Sequence, residues 1–352
     1  MRCMLLFRHG WRPAAVLIFL LSLAAALPAL LLSQEFIGTD TVYDCYAGSP
    51  LDSVPPLQLP PREKWRKIAT PLFIITQGPP YHMVHDLVAA PGQSQVITGK
   101  FDYGAVFHKD LEYERVHVYI YGTGMSAWQK VGVYTTDRDG KIYAALPQKG
   151  PGEYMIKMVV AGDLTTAYGF MTVLDPGRRA VVFDLDGTLT LNDFEEVKDY
   201  LGIGDASSFS YAVNLVNLYK LRGYQIIYLS ARPYWLVRET RGWFNKKGYP
   251  DTILHATLNN NDSFDAARAE QYKTDYLLYL KNSVGVDLAA AYGNSAGDIG
   301  AYQSAGIPNS GIYIIGNLAG SEGTTPIYDN YYAHYNWLSS LLECAYQEAE
   351  TP

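Results

Sequence analysis

Two carboxylates stand directly after an apolar run near the middle of the chain. The run 180–183 reads Ala-Val-Val-Phe, which is typical of a buried strand, and Asp184 and Asp186 follow it. Ligands of open parallel sheets bind at the carboxyl ends of the strands. Gly187 allows the backbone to approach an anion, which successive N–H groups can hold. The pattern therefore predicts an anion site whose carboxylates act as nucleophile, general acid or cation ligand.

The same Asp-x-Asp-Gly sequence occurs a second time, at 137–140. There it separates two strand-like stretches, so its Asp-Gly pair predicts only a hairpin turn. For Asp184 and Asp186 the simpler interpretation is a pair of acids that cap a helix. That interpretation leaves the polar residues further along the chain unexplained, so we favour the ligand site.

Two further polar elements follow in chain order. A second apolar strand ends in Ser230, which is followed by Ala231 and Arg232. A serine at a strand end is usually a helix cap, and Arg232 is equally consistent with an anion contact and with a surface position. Lys273 lies in a helical stretch, 266–281, and a lysine there is most often solvated. Its place before the next apolar strand makes it a candidate counter-charge for the acids.

A third apolar strand ends in Gly-Asn-Ser-Ala-Gly-Asp at 293–298. Asn294 and Asp298 supply the hard oxygen donors that Mg²⁺ prefers. The hexapeptide also matches Gly-x-Ser-x-Gly, the nucleophile elbow of serine hydrolases, with Ser295 as the nucleophile. The acid and base available to such a triad, Asp329 and His334, lie only five positions apart, although they normally come from separate strand ends. A serine esterase is therefore the less favoured alternative.

The sequence at 184–188 resembles the Asp-x-Asp-Gly-Thr motif of haloacid dehalogenase-like phosphohydrolases. The resemblance implies that Asp184 attacks phosphorus to form an aspartyl-phosphate, and that Asp186 protonates the leaving group and then activates water. It implies Mg²⁺ as cofactor, bound by Asp184, Asp186, Asn294 and Asp298. Most relatives have a second Asp in place of Asn294, and an amide oxygen is a weaker ligand than a carboxylate.

The remaining motifs supply the phosphate site that this resemblance implies. Ser230 and Lys273 join the two acids as catalytic residues. The phosphate would be held by Gly187, Thr188, Ser230, Ala231 and Lys273.

Beyond the superfamily, parts of the sequence resemble two particular families. The segments that resemble lipins, the Mg²⁺-dependent phosphatidate phosphatases, are 181–190, 229–233, 272–273 and 293–298. The segments that resemble membrane-associated phosphatidylinositol transfer proteins of the Nir/RdgB type, in which a β-sandwich precedes a similar domain, are 84–92, 99–104 and 156–163. Lipins carry an Arg after the Asn, where this chain has Ser295. The implied function is hydrolysis of a phosphomonoester, with phosphatidate as the first candidate.

A catalytically silent phosphatidate-binding module is the main alternative. The transfer-protein relatives have a degraded first motif and are regarded as modules of this kind. This chain keeps Asp184, Asp186 and Thr188, which favours retained catalysis. The expected partners are therefore a phosphorylated lipid and a membrane surface.

Composition limits the partners further. The net charge is −7 and the basic residues form no block, so a nucleic-acid partner is not expected. Tyrosine is abundant, with 29 residues, several of them clustered at 328–335. Such a cluster is more often packed at a half-buried surface than placed at a membrane interface.

The first 35 residues read as a signal peptide or membrane anchor. Arg2, Arg8 and Arg12 precede an apolar stretch, 13–32, of about the length that spans a bilayer. The positive flank predicts an extracytoplasmic chain, membrane-anchored or secreted. An oxidising compartment permits a disulfide between the two remaining cysteines at 45 and 344, with two unrelated thiols as the alternative.

The elements that position these residues fall into two domains. Residues 36–67 read as a linker, and 68–175 carry recurring short strands, which predict an all-β immunoglobulin-like sandwich. Residues 176–340 alternate strand and helix, which predicts an α/β domain with a Rossmann-like parallel sheet of the haloacid dehalogenase type. The intervals between its motifs are too short for a large cap. Residues 341–352 form a C-terminal tail.

Overall fold

The computed structural model describes residues 45–104, 108–191, 206–258 and 265–345. Its amino-terminal part contains helix α1 (Thr70–Gln77) and strands β1 (Met83–Val84), β2 (Leu87–Ala89), β3 (Gln95–Lys100), β4 (Asp102–Tyr103), β5 (Lys109–Asp110), β6 (Arg115–Gly122), β7 (Gln129–Thr135), β8 (Lys141–Leu146), β9 (Gly152–Val160) and β10 (Thr166–Val173). Its second part contains β11 (Arg179–Phe183), α2 (Ala212–Leu221), β12 (Gln225–Pro233), α3 (Val237–Lys247), β13 (Ile253–Thr257), α4 (Ala266–Tyr279), β14 (Asp287–Gly293), α5 (Ala296–Ser304), β15 (Ile312–Ile315), β16 (Thr325–Ile327) and α6 (Tyr332–Leu341).

The amino-terminal part forms a β-sandwich. One sheet has the strand order β1-β3-β8, and the other has the order β2-β10-β9-β6-β7. Side chains of both sheets, including Ile97, Val118, Ile156 and Met158, share one buried core. On β8 the buried and exposed residues alternate, as a strand with one solvated face requires. The predicted order, a β-sandwich before a parallel α/β sheet, is confirmed.

The second Asp-x-Asp-Gly sequence forms a turn but not the predicted hairpin. Asp137 accepts hydrogen bonds from the backbone N–H groups of Asp139 and Lys141, and Gly140 has a positive φ of 66°. However, β7 pairs with β6 and β8 pairs with β3, so the turn crosses from one sheet to the other. The local residues specify the turn, whereas the strand partners are set by the sandwich core.

The chain before α1 lies against the surface of both parts. The backbone N–H of Glu63 donates to the carbonyl of Ala161 in the sandwich, and the backbone N–H of Cys45 donates to the carbonyl of Leu221, at the end of α2 in the second part, at 2.9 Å. The indole of Trp128 donates to the carbonyl of Pro55. Cys45 and Cys344 form a disulfide, so the predicted bridge is confirmed. None of the helices in the described ranges is long and apolar enough to cross a membrane.

Six parallel strands form the sheet of the second part, in the order β13-β12-β11-β14-β15-β16. Apolar residues of β11 alternate between its faces, because successive side chains of a strand point in opposite directions. Val181 and Phe183 pack with helices α2, α3 and α6, whereas Ala180 and Val182 pack with α4 and α5. Burial on both faces explains why these strands read as continuous apolar runs.

A buried ion pair joins the sandwich to the α/β part. Asp86, which is fully buried between β1 and β2, accepts hydrogen bonds from the backbone N–H groups of Phe170 and Leu254 at 2.7 Å each. Its third partner is the guanidinium of Arg241 on α3, at 2.5 Å, which also bonds Asp251 at 2.5 Å. Burial raises the pKa of Asp86 to about 6, although Arg241 acts in the opposite direction.

Replacing Asp86 by alanine should destabilise the whole fold. The change leaves the buried guanidinium of Arg241 without one of its two carboxylates, and breaking a buried pair costs about 3–5 kcal/mol. Urea unfolding of the variant measures this loss.

The matched control is Asp287→Ala. Asp287 forms a half-exposed pair with Arg179 at 3.6 Å, so its removal should change stability by no more than about 0.5 kcal/mol. Equal losses in the two variants would show that the Asp86 contact does not hold the two parts together.

Candidate active site at the carboxyl edge of the parallel sheet

The polar residues predicted from the sequence meet where the strand order reverses. Strand β11 pairs with β12 on one side and with β14 on the other. Asp184 follows β11, Ser230 lies near the end of β12, and Asn294 follows β14. The backbone N–H of Asp184 donates to the carbonyl of Tyr292 at 3.0 Å, which fixes the end of β11 against β14. A crevice of this kind is the usual ligand site of an open α/β sheet.

Lys273 brings two carboxylates together. Its Nζ lies 2.7 Å from Asp184 Oδ1 and 2.6 Å from Asp298 Oδ1, and all three side chains are buried. Lys273 reaches the edge from α4, and Asp298 from the first turn of α5. The lysine is therefore an interior counter-charge, not a solvated helix residue.

The three charges perturb one another. Burial raises the pKa of Asp184 to about 7; Asp298 and Asp186 act in the same direction, and Lys273 opposes them. Burial would also raise the pKa of Asp298, but its bonds from Lys273 and Ser295 hold that pKa below its usual value. Burial opposes the charge of Lys273, yet the two carboxylates raise its pKa above the ordinary value.

Thr188 connects Asp184 to Asn294. Its Oγ1 lies 2.9 Å from Asp184 Oδ2 and 3.2 Å from Asn294 Oδ1. A hydroxyl has one proton, so it can donate to only one of these two oxygens at a time. The carbonyl of Thr188 accepts a bond from the buried hydroxyl of Tyr331 at 2.9 Å, which fixes the turn behind the acids.

Ser295 caps helix α5. Its Oγ accepts from the backbone N–H of Asp298 at 3.1 Å, and its backbone N–H donates to Asp298 Oδ2 at 3.0 Å, which together form a capping box. The hydroxyl of Ser295 also donates to Asp298 Oδ2, at 2.8 Å. The same carboxylate oxygen accepts from the backbone N–H of Asn294. His334 instead bonds the hydroxyl of Tyr292, so the structure does not assemble the serine triad.

Asp186 has a different partner from Asp184. Its two carboxylate oxygens accept from Nε and Nη2 of Arg232, at 2.9 and 2.6 Å, and Arg232 Nη1 donates to Thr240 at 2.7 Å. The sequence left the role of Arg232 open and gave no signal for Thr240. Arg232 lies two positions after Ser230 on the same extended segment, and that spacing is the only local sign of its role.

The remaining predicted phosphate ligands lie around these groups. Ser230 is buried, and its Oγ accepts from the backbone N–H of Arg232 at 3.1 Å. Ala231 lies between them and is partly exposed. Gly187 has a positive φ of 71°, and its N–H donates to Thr190 Oγ1 at 3.1 Å.

The donor atoms of this edge fit a hard divalent cation. Asp184 and Asn294 place two oxygens around the single proton of Thr188, so one of the oxygens is always left to accept from another partner. Carboxylate and amide oxygens are donors that Mg²⁺ accepts. The Asp186 carboxylate is turned to Arg232, which leaves its backbone carbonyl as the donor from that residue. Across the described ranges, no group of three or more His, Cys, Asp or Glu side chains forms a metal cluster.

The chain is similar to curated proteins of Drosophila melanogaster and Homo sapiens. It is 28% identical over 287 residues to "Protein retinal degeneration B" of Drosophila melanogaster, covering 80% of this chain and 22% of the relative. It is 31% identical over 262 residues to "Membrane-associated phosphatidylinositol transfer protein 1" of Homo sapiens, covering 73% and 20%. The chain thus spans about a fifth of the length of the curated relatives it matches.

A solved structure shows a weaker likeness. The class C acid phosphatase of Bacillus anthracis with tungstate bound is 16% identical, covers 35% of this chain and 54% of the other, and has a TM-score of 0.27. That score is too low to establish a common fold.

The relatives contradict the predicted extracytoplasmic location. They are named as membrane-associated phosphatidylinositol transfer proteins, which act on the cytoplasmic side of membranes, so the prediction of an extracytoplasmic chain is wrong. The prediction rested on the hydropathy and the flanking charge of this segment alone. The segment concerned, 1–35, lies outside the described residues.

Two family models match consecutive regions of the chain. Residues 80–173 match the model described as "PITM 1-3, beta-sandwich domain", and 181–316 match "PITM 1-3, LNS2 domain". The second region contains most of β11, the strands β12 to β15 and all the predicted catalytic, phosphate-binding and metal-binding residues. With its sandwich followed by its parallel sheet, the chain carries the beta-sandwich domain and the LNS2 domain of the PITM 1-3 family, in that order.

Proposed function

We propose that the α/β part is a Mg²⁺-dependent phosphomonoester hydrolase of the haloacid dehalogenase type, without a large cap, that follows an immunoglobulin-like sandwich. The observation that supports it best is the contact of Lys273 with both Asp184 and Asp298 at the switch point of the sheet. A buried carboxylate beside a buried ammonium matches the needs of a nucleophile that must approach an anionic phosphate. We assign residues 68–175 and 176–340 to the two domains.

Mg²⁺ would be held by the carboxylate of Asp184, the backbone carbonyl of Asp186 and the side chain of Asn294, with Asp298 behind them. When bound, the ion offsets the charge of the phosphate oxygens. The hydroxyl of Thr188, which already touches two of these groups, orients them.

The residues of this chain divide the reaction into two steps. In the first, an oxygen of Asp184 forms a bond to phosphorus and the bond to the alcohol breaks, while Asp186 donates a proton to the leaving oxygen. In the second, water attacks phosphorus, Asp186 takes its proton, and the bond from phosphorus to Asp184 breaks. Lys273 neutralises charge in both steps, and Ser230 and backbone N–H groups near Gly187 and Ala231 hold the phosphate oxygens.

The substrate class follows from the family and from the chain between the motifs. The relatives are named for phosphatidylinositol transfer and membrane association, which supports a phospholipid. The intervals 191–211 and 258–265 are too short for a large cap, so the site suits a phosphate displayed at a surface. Phosphatidate, whose phosphate is a monoester, is the first candidate.

One contact favours the second candidate, a silent phosphatidate-binding module. Both carboxylate oxygens of Asp186 are occupied by Arg232, and a bidentate pair of this kind is strong. Asp186 can protonate a leaving group only when this pair opens. A module that binds without turnover needs no such opening.

Replacing Asp184 by asparagine should abolish phosphate release from phosphatidate. The amide cannot form the phosphoenzyme, so the rate should fall by a factor on the order of 10³ or more. Chelation of Mg²⁺ with EDTA should have the same effect on the wild type, and added Mg²⁺ should restore the rate. The measurement is orthophosphate release from phosphatidate in mixed micelles.

The control for this change is Asp139→Asn, in the second Asp-x-Asp-Gly sequence, which should leave the rate unchanged. The Ser295→Ala variant should retain turnover, because Ser295 caps a helix. Loss of turnover in this variant, together with wild-type activity that EDTA does not affect, would instead support an esterase. Phosphatidate binding by the wild type without any release of phosphate would favour the silent module.

Replacing Asp186 by asparagine should slow turnover in a manner that depends on the leaving group. General acid catalysis contributes about 10²–10⁴-fold, so release from an alkyl phosphate should fall by that factor. p-Nitrophenyl phosphate has a leaving group that needs no proton, so its kcat/KM should fall much less. The ratio of kcat/KM values for the two substrates is the measurement, because kcat/KM reports the steps up to release of the leaving group, whereas loss of the base in the second step slows both substrates equally.

Equal losses on both substrates would contradict the acid role and indicate that Asp186 acts only through the Arg232 contact. Asp139→Asn again serves as the control, because it changes one carboxylate in the same local sequence and should preserve the ratio.

A further inference from the structure

Three large aliphatic side chains form an exposed stripe on α1. Ile68, in the turn just before the helix, is 97% exposed, and Leu72 and Ile75 within the helix are 68% and 81% exposed. Leu72 and Ile75 are three residues apart and therefore lie on one helical face, and Ile68 precedes Leu72 by four residues. On the opposite side, Phe73 and Ile74 pack against the sandwich core. The helix is thus fixed to the protein while its outer face remains apolar.

This stripe stands out among the described residues. Three of the four most exposed large apolar side chains belong to it, and the fourth is Tyr328, at 72%. Tyr328 follows β16, whose parallel pairing places it at the carboxyl edge of the sheet. Single exposed apolar residues are common, whereas a grouped set indicates a contact surface.

Basic residues precede the stripe. The sequence 62–67 reads Arg-Glu-Lys-Trp-Arg-Lys, and Arg62, Lys64 and Arg66 are exposed. Within the described ranges these three form no ion pair, while the acid among them, Glu63, is paired with Arg115. Cations beside an inserted apolar face are complementary to an anionic lipid surface.

The end of α1 lies next to the segment that carries Arg232. After the helix, the carbonyl of Pro80 accepts a bond from Arg238 at 2.6 Å. Arg238 is in the first turn of α3, as is Thr240, which bonds Arg232 beside Asp186. The stripe is therefore connected to the carboxyl edge through one turn of helix.

We propose that the stripe formed by Ile68, Leu72 and Ile75 inserts into an anionic lipid bilayer and brings the carboxyl edge of the sheet to the lipid headgroups. The lipid substrate in this inference rests on the proposed function, whereas the insertion of the stripe into the bilayer does not. The basic segment before α1 contacts the anionic headgroups, and the three side chains enter the acyl region beneath them.

A label on Leu72 tests the insertion directly. In the full-length chain with Cys3→Ser, Leu72→Cys is coupled to an environment-sensitive nitrobenzoxadiazole dye, and Tyr143→Cys, an exposed aromatic on β8, carries the same dye as the matched control. The vesicles are phosphatidylcholine with or without phosphatidylserine, each with a nitroxide-labelled lipid as quencher. We expect a blue shift and quenching at position 72 with phosphatidylserine, and neither at position 143.

The label is needed because binding of the whole chain to vesicles would not show which segment makes the contact. A dye at position 72 that stays in water while the protein is bound to vesicles would overturn the proposal. So would a dye that is already shielded without lipid, since a second copy or another segment of the chain would then cover the stripe.

A charged variant gives an independent measure. The double substitution Leu72→Glu and Ile75→Glu should reduce turnover of phosphatidate in phosphatidylserine vesicles by about tenfold or more. Turnover of soluble p-nitrophenyl phosphate should be unchanged, and Tyr143→Glu should change neither. Equal vesicle turnover in the double variant and the wild type would contradict insertion. If the wild type releases no phosphate at all, the proposed function fails, and the dye measurement still decides the insertion.

Discussion

The ammonium group of Lys273 lies between the buried carboxylates of Asp184 and Asp298, and the arrangement of the carboxyl edge depends on this contact. The two acids come from different strand–helix connections and would repel each other in an interior of low dielectric. A single cation from α4 allows both to be buried side by side. It also fixes α4 against the ends of β11 and β14, so the charge that makes the site possible also sets its geometry.

Much of the fold could be predicted because its strands are buried on both faces or alternate regularly. The apolar runs that end at Asp184, Ser230 and Asn294 are all strands of one parallel sheet, as expected from their composition. The turn at 137–140 shows what the local sequence could not predict, which is the pairing of the strands. Its residues specify a reversal of direction, but whether the next strand pairs with the last or joins another sheet depends on contacts far away in the sequence.

Contacts between residues distant in the sequence also limited the prediction of the site. Asp184, Lys273, Asn294 and Asp298 could be selected because each follows or precedes a recognisable strand, and the structure brings them together. The partner of Asp186 could not, because Arg232 looks like a surface residue until the fold turns it inwards. The Asp86–Arg241 pair, which joins residues 155 positions apart, left no local pattern at all.

The disulfide between Cys45 and Cys344 makes almost the whole described chain a covalently closed ring. Its two cysteines are 299 positions apart, and both domains lie within the loop. A protease that cuts one exposed connection between them therefore opens the ring without releasing a fragment. The sandwich and the parallel sheet stay tethered to each other after such a cut even in denaturant, and they separate only when a reductant also opens the disulfide.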